Sequence, residues 1–235
     1  MTRTEHDSPT DGPVGLARLG PARRGTGSRA VGFDLDLTLV DTRARILASA
    51  LAAFAELGAD VPAERIVPHL GIPLADKVAA LSPQLDVEAF VTAYREHYHR
   101  DGAPSAPAMP GARDALEAVR AHGDRTLVVT AKIDWMGTQA IAAAGLEPWV
   151  DALHGDRFAA AKSQALLQEG AWVYVGDHPG DMAAARGADA VAVAVTTGAH
   201  DAASLRAAGA DVVLPSLTDF ARWYDDAAGA ATARD

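Results

Sequence analysis

The stretch AVGFDLDLT, residues 30–38, is a short apolar run that ends in two aspartates. Uninterrupted apolar runs of this length are typical of strands that are buried on both faces. Asp34 and Asp36 lie two residues apart, so an extended backbone points both carboxylates to the same side. Such a pair suits phosphoryl transfer, in which one carboxylate attacks phosphorus and its neighbour handles the proton. The alternative interpretation is an acidic turn that caps the following helix.

Outward from this segment, apolar runs alternate with helical patterns along most of the chain. We predict strands at 30–33, 126–129, 151–154, 172–175, 190–194 and 211–214. We predict helices at 42–57, 74–81, 86–100, 112–121, 134–144, 162–169, 181–186, 201–208 and 217–225. Strands that alternate with helices predict an α/β fold, with a parallel sheet covered by helices on both faces. In such sheets, ligands bind at the carboxyl ends of the strands.

A mostly helical block separates the first predicted strand from the others, and we interpret it as an insertion. We assign residues 29–42 and 109–225 to a catalytic core, and 43–108 to a helical cap that folds over the sheet. Residues 1–28 are rich in Gly, Pro, Thr, Ser and Arg, which predicts a flexible leader, and 226–235 predict a loose C-terminal tail.

Composition and charge exclude several classes of function. The 235 residues include no cysteine, which excludes disulfides, thiolate metal sites and cysteine nucleophiles. A net charge of −10 argues against nucleic acid as the main partner, although a local cation site still admits a small anionic substrate. No apolar run approaches the roughly 20 residues that cross a bilayer, and the first residues lack the apolar centre of a secretory signal. We therefore expect a cytoplasmic protein that acts on a small molecule. Its oligomeric state is not indicated.

Polar residues also follow or precede the later predicted strands. Thr130 directly follows the second strand, where its hydroxyl and the next backbone N–H suit a phosphoryl oxygen. Lys162 begins a helix, where it suits neutralisation of a transferring phosphoryl group. Asp177 and Asp181 lie four residues apart on a glycine-rich turn, which suits a hard cation such as Mg²⁺. Each of these residues also has an interpretation that involves no chemistry. Thr130 is then a structural residue at a strand end and Lys162 a solvated lysine, while Asp177 forms a turn and Asp181 caps a helix.

In their order along the chain, Asp-x-Asp-x-Thr, then Thr, then Lys, then Gly-Asp-x-x-x-Asp resemble the motifs of the haloacid dehalogenase-like hydrolase superfamily over residues 29–225. The resemblance implies a Rossmann-like core of three layers, with a parallel sheet in the middle and an inserted α-helical cap. It also implies roles for the motif residues. Asp34 would be the nucleophile, Asp36 the general acid/base, and Thr130 and Lys162 the phosphate contacts.

The same resemblance implies a magnesium cofactor. Mg²⁺ would be held by Asp34, the backbone carbonyl of Asp36, and Asp177, and Asp181 would support the metal site or Lys162. Within the superfamily, the segments 195–201 (VTTGAHD) and 205–211 (LRAAGAD) resemble phosphoglycolate phosphatase-like enzymes.

Two residues depart from the family's usual pattern. Leu37 stands where glycine is usual, and Ala131 stands where a small polar residue or asparagine is common. Both positions contribute mainly backbone, so the catalytic groups remain but the shape of the site changes. We therefore do not assign phosphoglycolate as the substrate.

Substrate choice is expected to lie in the cap. The loop 69–74 (HLGIPL) is expected to face the active site, with a lysine just beyond it. The candidate substrate contacts are Thr38, Ala131, Arg43, Gly71 and Lys77. For Arg43 the alternative is an ordinary charge on a helix surface.

These motifs predict a magnesium-dependent phosphatase that hydrolyses a small phosphate monoester through an aspartyl-phosphate on Asp34. Asp36 favours phosphate esters, because dehalogenases of this superfamily lack the second aspartate. One alternative is a sugar-phosphate mutase, which uses the same motifs but returns the phosphoryl group to its substrate. Another is a non-enzymatic module that binds a small molecule or a metal.

Overall fold

The computed structural model describes residues 29–100 and 106–232, so the predicted leader, 1–28, lies outside the described residues. The strands are β1 (Ala30–Phe33), β2 (Arg125–Val129), β3 (Ala152–His154), β4 (Ala171–Gly176), β5 (Val191–Val195) and β6 (Val212–Leu214). The helices are α1 (Arg43–Glu56), α2 (Ala63–Ile66), α3 (Leu74–Leu81), α4 (Val87–Arg100), α5 (Ala112–Ala121), α6 (Asp134–Ala143), α7 (Ala160–Glu169), α8 (Pro179–Gly187), α9 (Ala202–Ala207) and α10 (Phe220–Thr232).

The six strands form one parallel sheet in the order β3-β2-β1-β4-β5-β6. Helices α5, α6 and α10 cover one face, and α7, α8 and α9 cover the other, which confirms the predicted three-layer α/β fold. All four residues of β1 are buried, because each face of the sheet is covered by helices. The chain proceeds outward from β1 in one direction and from β4 in the other. A crevice therefore opens at the carboxyl ends of these two strands.

Helices α1 to α4 are inserted between β1 and β2 and share a hydrophobic cluster of their own. The Phe54 and Phe90 rings pack with centroids 4.4 Å apart, joining α1 to α4. The cluster also includes Leu37 and Met136 from outside the block, so it is packed against the sheet-bearing part of the chain. These helices occupy the stretch that the sequence assigns to a cap, and the domain boundaries stay a prediction. The four-residue helix α2 was not predicted.

The C-terminal end differs from the prediction of a loose tail. Helix α10 continues to Thr232, and Ala227 and Ala228 within it are buried. Ala228 packs into the cluster that covers one face of the sheet. An alanine-rich segment has little hydrophobic contrast in sequence, but its small side chains allow this close approach. Among the described residues, no helix is long and apolar enough to cross a membrane.

Candidate active site

The sheet register sets Asp34 between the ends of two neighbouring strands. Asp34 follows Phe33, whose partners are Val128 on β2 and Val175 on β4. The backbone N–H of Asp34 still donates to the carbonyl of Val175, at 2.8 Å, so the residue continues the strand. Its side chain emerges at the crevice, although the residue is only 8% exposed.

A cleft of about 400 Å³ opens at this point, and we call it the strand-end cleft. Its walls include eight residues that the sequence singled out: Asp34, Asp36, Gly71, Thr130, Ala131, Lys162, Asp177 and Asp181. These residues come from β-strand ends, from the start of α7 and α8, and from the loop before α3. The tertiary structure therefore brings the four separate motifs to one place.

Lys162 is the buried cation of the strand-end cleft. Its Nζ lies 2.8 Å from Asp34 Oδ1 and 2.6 Å from Asp181 Oδ1. Burial opposes the charge on this ammonium, but Asp181 and Asp34 outweigh that effect and hold the pKa of Lys162 well above its usual value. Lys162 is consequently a permanent positive charge directly beside Asp34.

Burial has the opposite consequence for the carboxylates. It raises the pKa of Asp34 to about 7, with the charge of Asp181 adding to the increase and Lys162 opposing it. Burial, together with the charges of Asp181 and Asp34, also raises the pKa of Asp177 well above its usual value. Three buried carboxyl groups therefore share one lysine, and their ionised forms are disfavoured unless a further positive charge joins them.

The carboxylates fit a divalent cation. Asp34, Asp177 and Asp181 each offer an oxygen within 4.8 Å of the others. If all three are ionised, Lys162 leaves two negative charges uncompensated, which matches the charge of Mg²⁺. An oxygen-only donor set also suits that hard cation. The Asp36 side chain is not part of this group, which leaves its backbone carbonyl as the atom assigned to the metal.

Two glycines make room for this cluster. A Cβ on Gly198 would lie 1.9 Å from Asp177 Oδ2, and a Cβ on Gly176 would lie 2.3 Å from Asp181 Oδ2. A side chain at either position would displace a carboxylate. The loop after β5, which carries Gly198, is thus part of the site although no charged group of that loop enters it.

Asp36 is held by a lysine that the sequence analysis did not select. Lys132 Nζ lies 3.3 Å from Asp36 Oδ2 and donates to the Tyr98 hydroxyl at 3.2 Å. Burial opposes the charge of Lys132, but Asp36 and the nearby tyrosines raise its pKa. The other oxygen, Asp36 Oδ1, is buried without a hydrogen-bond partner among the described residues. The one signal for Lys132 in the sequence was its position, since it directly follows Thr130 and Ala131 at the end of a predicted strand.

Two predicted substrate contacts are corrected by the structure. Thr38 is fully buried, and its hydroxyl donates to Asp177 Oδ1 at 3.0 Å, so it orients a candidate metal ligand instead. Arg43 is half exposed and pairs with Asp41 at 2.6 Å, and it does not line the strand-end cleft. A charge on the helix surface was the alternative interpretation of Arg43, and its pairing with Asp41 was not predicted.

His178 has a structural role in the described site. Its Nδ1 accepts a hydrogen bond from the Gly180 N–H at 3.0 Å and so caps α8. Its own backbone N–H donates to Asp181 Oδ2 at 3.1 Å, which fixes that carboxylate. Among the described residues, the group that could hold a metal contains aspartates and no histidine.

A second space of about 590 Å³ adjoins the first and is lined mainly by α3, α4 and the loop after β2; we call it the helix-side cleft. The two clefts share Asp36, Gly71 and Ala131. Lys77 lines the helix-side cleft and is 1% exposed. Burial lowers the pKa of Lys77 to about 8, with Asp36 opposing the decrease and Lys132 adding to it.

Comparison with known proteins agrees with this arrangement. Residues 31–195 match the family model for haloacid dehalogenase-like hydrolases. The phosphoglycolate phosphatase of Chromobacterium violaceum is 32% identical over 216 residues, which cover 82% of this chain and 94% of that protein. A phosphoglycolate phosphatase of Cupriavidus necator is 31% identical over 206 residues, covering 80% of this chain and 89% of that protein.

Solved structures resemble the fold over a similar extent. A haloacid dehalogenase-like family hydrolase from Streptococcus pneumoniae superposes with a TM-score of 0.74 at 25% identity, covering 85% of this chain and 100% of that one. The sequence matches, the parallel sheet and the residues gathered at the end of β1 agree with one another. The chain therefore belongs to the haloacid dehalogenase-like hydrolase family, as one of its phosphatases.

Proposed function

We propose that this phosphatase hydrolyses a small phosphate monoester with Mg²⁺ as cofactor, through an aspartyl-phosphate on Asp34. The observation that carries the proposal is the convergence of Lys162, Asp177 and Asp181 on the Asp34 carboxylate at the end of β1. A carboxylate beside a fixed ammonium can approach an anionic phosphate with less repulsion. The curated relatives are named as phosphatases of a small phosphorylated acid, which supports a phosphorylated metabolite as the substrate class.

In the first step, a carboxylate oxygen of Asp34 attacks phosphorus and the bond to the leaving oxygen breaks. Asp36, in its protonated form, gives its proton to that oxygen. In the second step, Asp36 takes a proton from a water molecule. That water attacks the aspartyl-phosphate, releases inorganic phosphate and restores the Asp34 carboxylate.

The remaining groups bind and neutralise the phosphoryl group. Lys162 balances charge beside Asp34. Thr130 Oγ1 accepts a hydrogen bond from the Lys132 N–H at 3.2 Å, which leaves the hydroxyl proton of Thr130 to donate to a phosphoryl oxygen. Mg²⁺, held by Asp34, Asp177 and the Asp36 carbonyl, would supply charge stabilisation for the phosphoryl oxygens.

The first test measures phosphate release from phenyl phosphate, with and without Mg²⁺, by the native protein and the Asp34→Asn variant. We expect release that requires Mg²⁺ and falls at least about 10³-fold in the variant, because an amide is not a competent nucleophile. Asp60→Asn makes the same chemical change at an exposed position and should behave like the native protein. Equal rates in native protein and Asp34→Asn would remove the assignment of Asp34.

A second measurement separates the phosphatase from the alternatives. After mixing with substrate and quenching with acid, a phosphatase should show a phosphoenzyme that decays by hydrolysis and needs no bisphosphate activator. A phosphoenzyme that persists and turns over only with a bisphosphate would indicate a mutase. Binding of Mg²⁺ without Asp34-dependent release from a panel of phosphometabolites would indicate a binding module.

A further inference from the structure

The helix-side cleft contains a buried cation that the proposed chemistry does not use. Lys77 lies on α3 and is 1% exposed, yet it lines this cleft. Within the described part of the chain, no carboxylate lies within 4.0 Å of its ammonium and no acceptor is hydrogen-bonded to it. The Tyr94 ring faces this ammonium, with its centroid 5.8 Å from Nζ. Lys77 is thus a desolvated and unpaired positive charge.

The other charged residues of the cleft are either paired with each other or exposed to water. Lys132 lies 3.3 Å from Asp36 and is paired with it whenever Asp36 is ionised. Arg95 lines the cleft but is an exposed residue, so water compensates its charge. Among the described residues that line the cleft, Lys77 is therefore the buried cation without an ion-pair partner, although the more distant charge of Asp36 acts on it. An unpaired buried ammonium costs free energy, and a ligand anion placed beside it would offset that cost.

The position of the cleft indicates which part of a substrate would enter it. Its wall is shared with the strand-end cleft at Asp36, the residue proposed to protonate the leaving oxygen. A group attached to that oxygen consequently extends past Asp36 toward Lys77. The remaining walls are largely apolar, including Ile46, Leu74 and Met136.

We propose that the helix-side cleft selects a leaving alcohol with an apolar body and a single carboxylate, and that Lys77 determines this specificity by pairing with the carboxylate. The proposal rests on the proposed phosphatase function and names its substrate class. One negative charge matches the one unpaired ammonium, whereas a second phosphate would bring more negative charge than Lys77 balances. The apolar walls favour a body larger than a bare two-carbon acid.

The test compares substrates that differ in one charge. Carboxyphenyl phosphates, with the carboxylate in the 3 or 4 position, are measured against the corresponding carbamoylphenyl phosphates, in which a neutral amide replaces the carboxylate. For the native protein we expect kcat/KM to favour at least one carboxylate isomer by about 10- to 100-fold, which is typical of a hydrogen bond between charged groups. The difference should appear mainly in KM.

Variants locate the origin of that preference. In Lys77→Met we expect the carboxylate-to-amide ratio to fall to about 1, while Lys77→Arg, which keeps the charge, retains part of it. Lys77→Met removes an unpaired buried charge and keeps similar volume, so its melting temperature should equal or exceed that of the native protein. Arg95→Met is the matched control, because it removes the exposed cation of the same cleft. Loss of the ratio in Arg95→Met but not in Lys77→Met would overturn the assignment to Lys77.

The outcomes for the two proposals are distinct. Asp34-dependent hydrolysis of the amides and carboxylates at equal rates would overturn the carboxylate specificity and leave the phosphatase function intact. If neither kind of substrate is hydrolysed, calorimetry with 3- and 4-hydroxybenzoate and the matching amides tests binding to the subsite by itself. Lys77-dependent binding of a hydroxybenzoate would support the subsite without the chemistry, and absence of binding would reject the subsite as well.

Discussion

Leu37 combines a left-handed backbone conformation, with φ at 64°, and a side chain that is 1% exposed. Its carbonyl accepts a hydrogen bond from the Thr197 hydroxyl, so the turn after β1 is tied to the loop after β5. Glycine, which the resemblance leads one to expect at this position, adopts a positive φ without strain. The leucine side chain packs in the hydrophobic cluster of α1 to α4, which offsets the backbone strain.

At the residue scale, Leu37→Gly and Leu37→Ala separate these two contributions. Loss of a buried leucine side chain costs about 2–5 kcal/mol, and glycine returns about 1–2 kcal/mol of left-handed strain. We expect Leu37→Gly to lower the free energy of unfolding by about 1–3 kcal/mol, and Leu37→Ala to lower it by about 1 kcal/mol more. Urea denaturation measures both. An alanine variant more stable than the glycine variant would contradict strain at this position.

At the scale of the elements, the loops that follow the strands supply the groups of the candidate site. Each supplies a different requirement of the site: carboxylates after β1 and β4, a hydroxyl after β2, and a close backbone approach after β5. Helices α7 and α8 then present Lys162 and Asp181 from one face of the sheet. The site therefore depends on loop geometry as much as on its charged groups.

At the element scale, Gly198→Ala tests the loop after β5. Its methyl group would lie 1.9 Å from Asp177 Oδ2, so either the loop or the carboxylate must move. We expect the Mg²⁺ concentration at half-maximal activity to rise by about 10- to 100-fold. Gly229→Ala in α10 is the control, since a Cβ there meets no atom of the described residues within 4 Å apart from its chain neighbours and its own helix backbone. An unchanged Mg²⁺ requirement in Gly198→Ala would show that Asp177 does not need this close approach.

At the scale of the whole molecule, the strand-end cleft and the helix-side cleft adjoin each other and differ in the sign of their buried charge. The strand-end cleft holds an excess of buried carboxylate, whereas the helix-side cleft holds an unpaired ammonium. Asp36 lines both and is the only carboxylate among the described residues that does so. A substrate that spans the clefts would bring its phosphoryl group to the carboxylates proposed to hold Mg²⁺ and its other end to Lys77.

The charge imbalance predicts how Mg²⁺ affects the stability of the whole fold. Mg²⁺ at 100 times its dissociation constant should raise the free energy of unfolding by about 2.7 kcal/mol, because the unfolded chain does not bring the carboxylates together. Asp177→Asn should melt at a higher temperature than the native protein in EDTA, since it removes a carboxyl group whose ionised form is disfavoured by burial, and should lose most of the response to Mg²⁺. Thermal unfolding across a Mg²⁺ titration checks both expectations. An equal response in both proteins would place the ion elsewhere.

The sequence by itself determined the alternation of strands and helices and the order of the chemical motifs. Both are local properties: apolar runs such as 30–33 become strands buried on both faces, and Asp34, Thr130 and Asp177 follow strands whose ends meet at one edge of a parallel sheet. The family followed from that order and is confirmed by the comparisons.

Only the tertiary structure decided where individual side chains point. Thr38 turned to Asp177, 139 residues away in the chain, and Lys132 turned to Asp36, while Arg43 stayed on the surface with Asp41. The burial of α10 beyond residue 225 also depended on the sheet face that it covers. Such pairings depend on long-range packing and on charges that become neighbours after folding, and neither leaves a periodic pattern in the sequence.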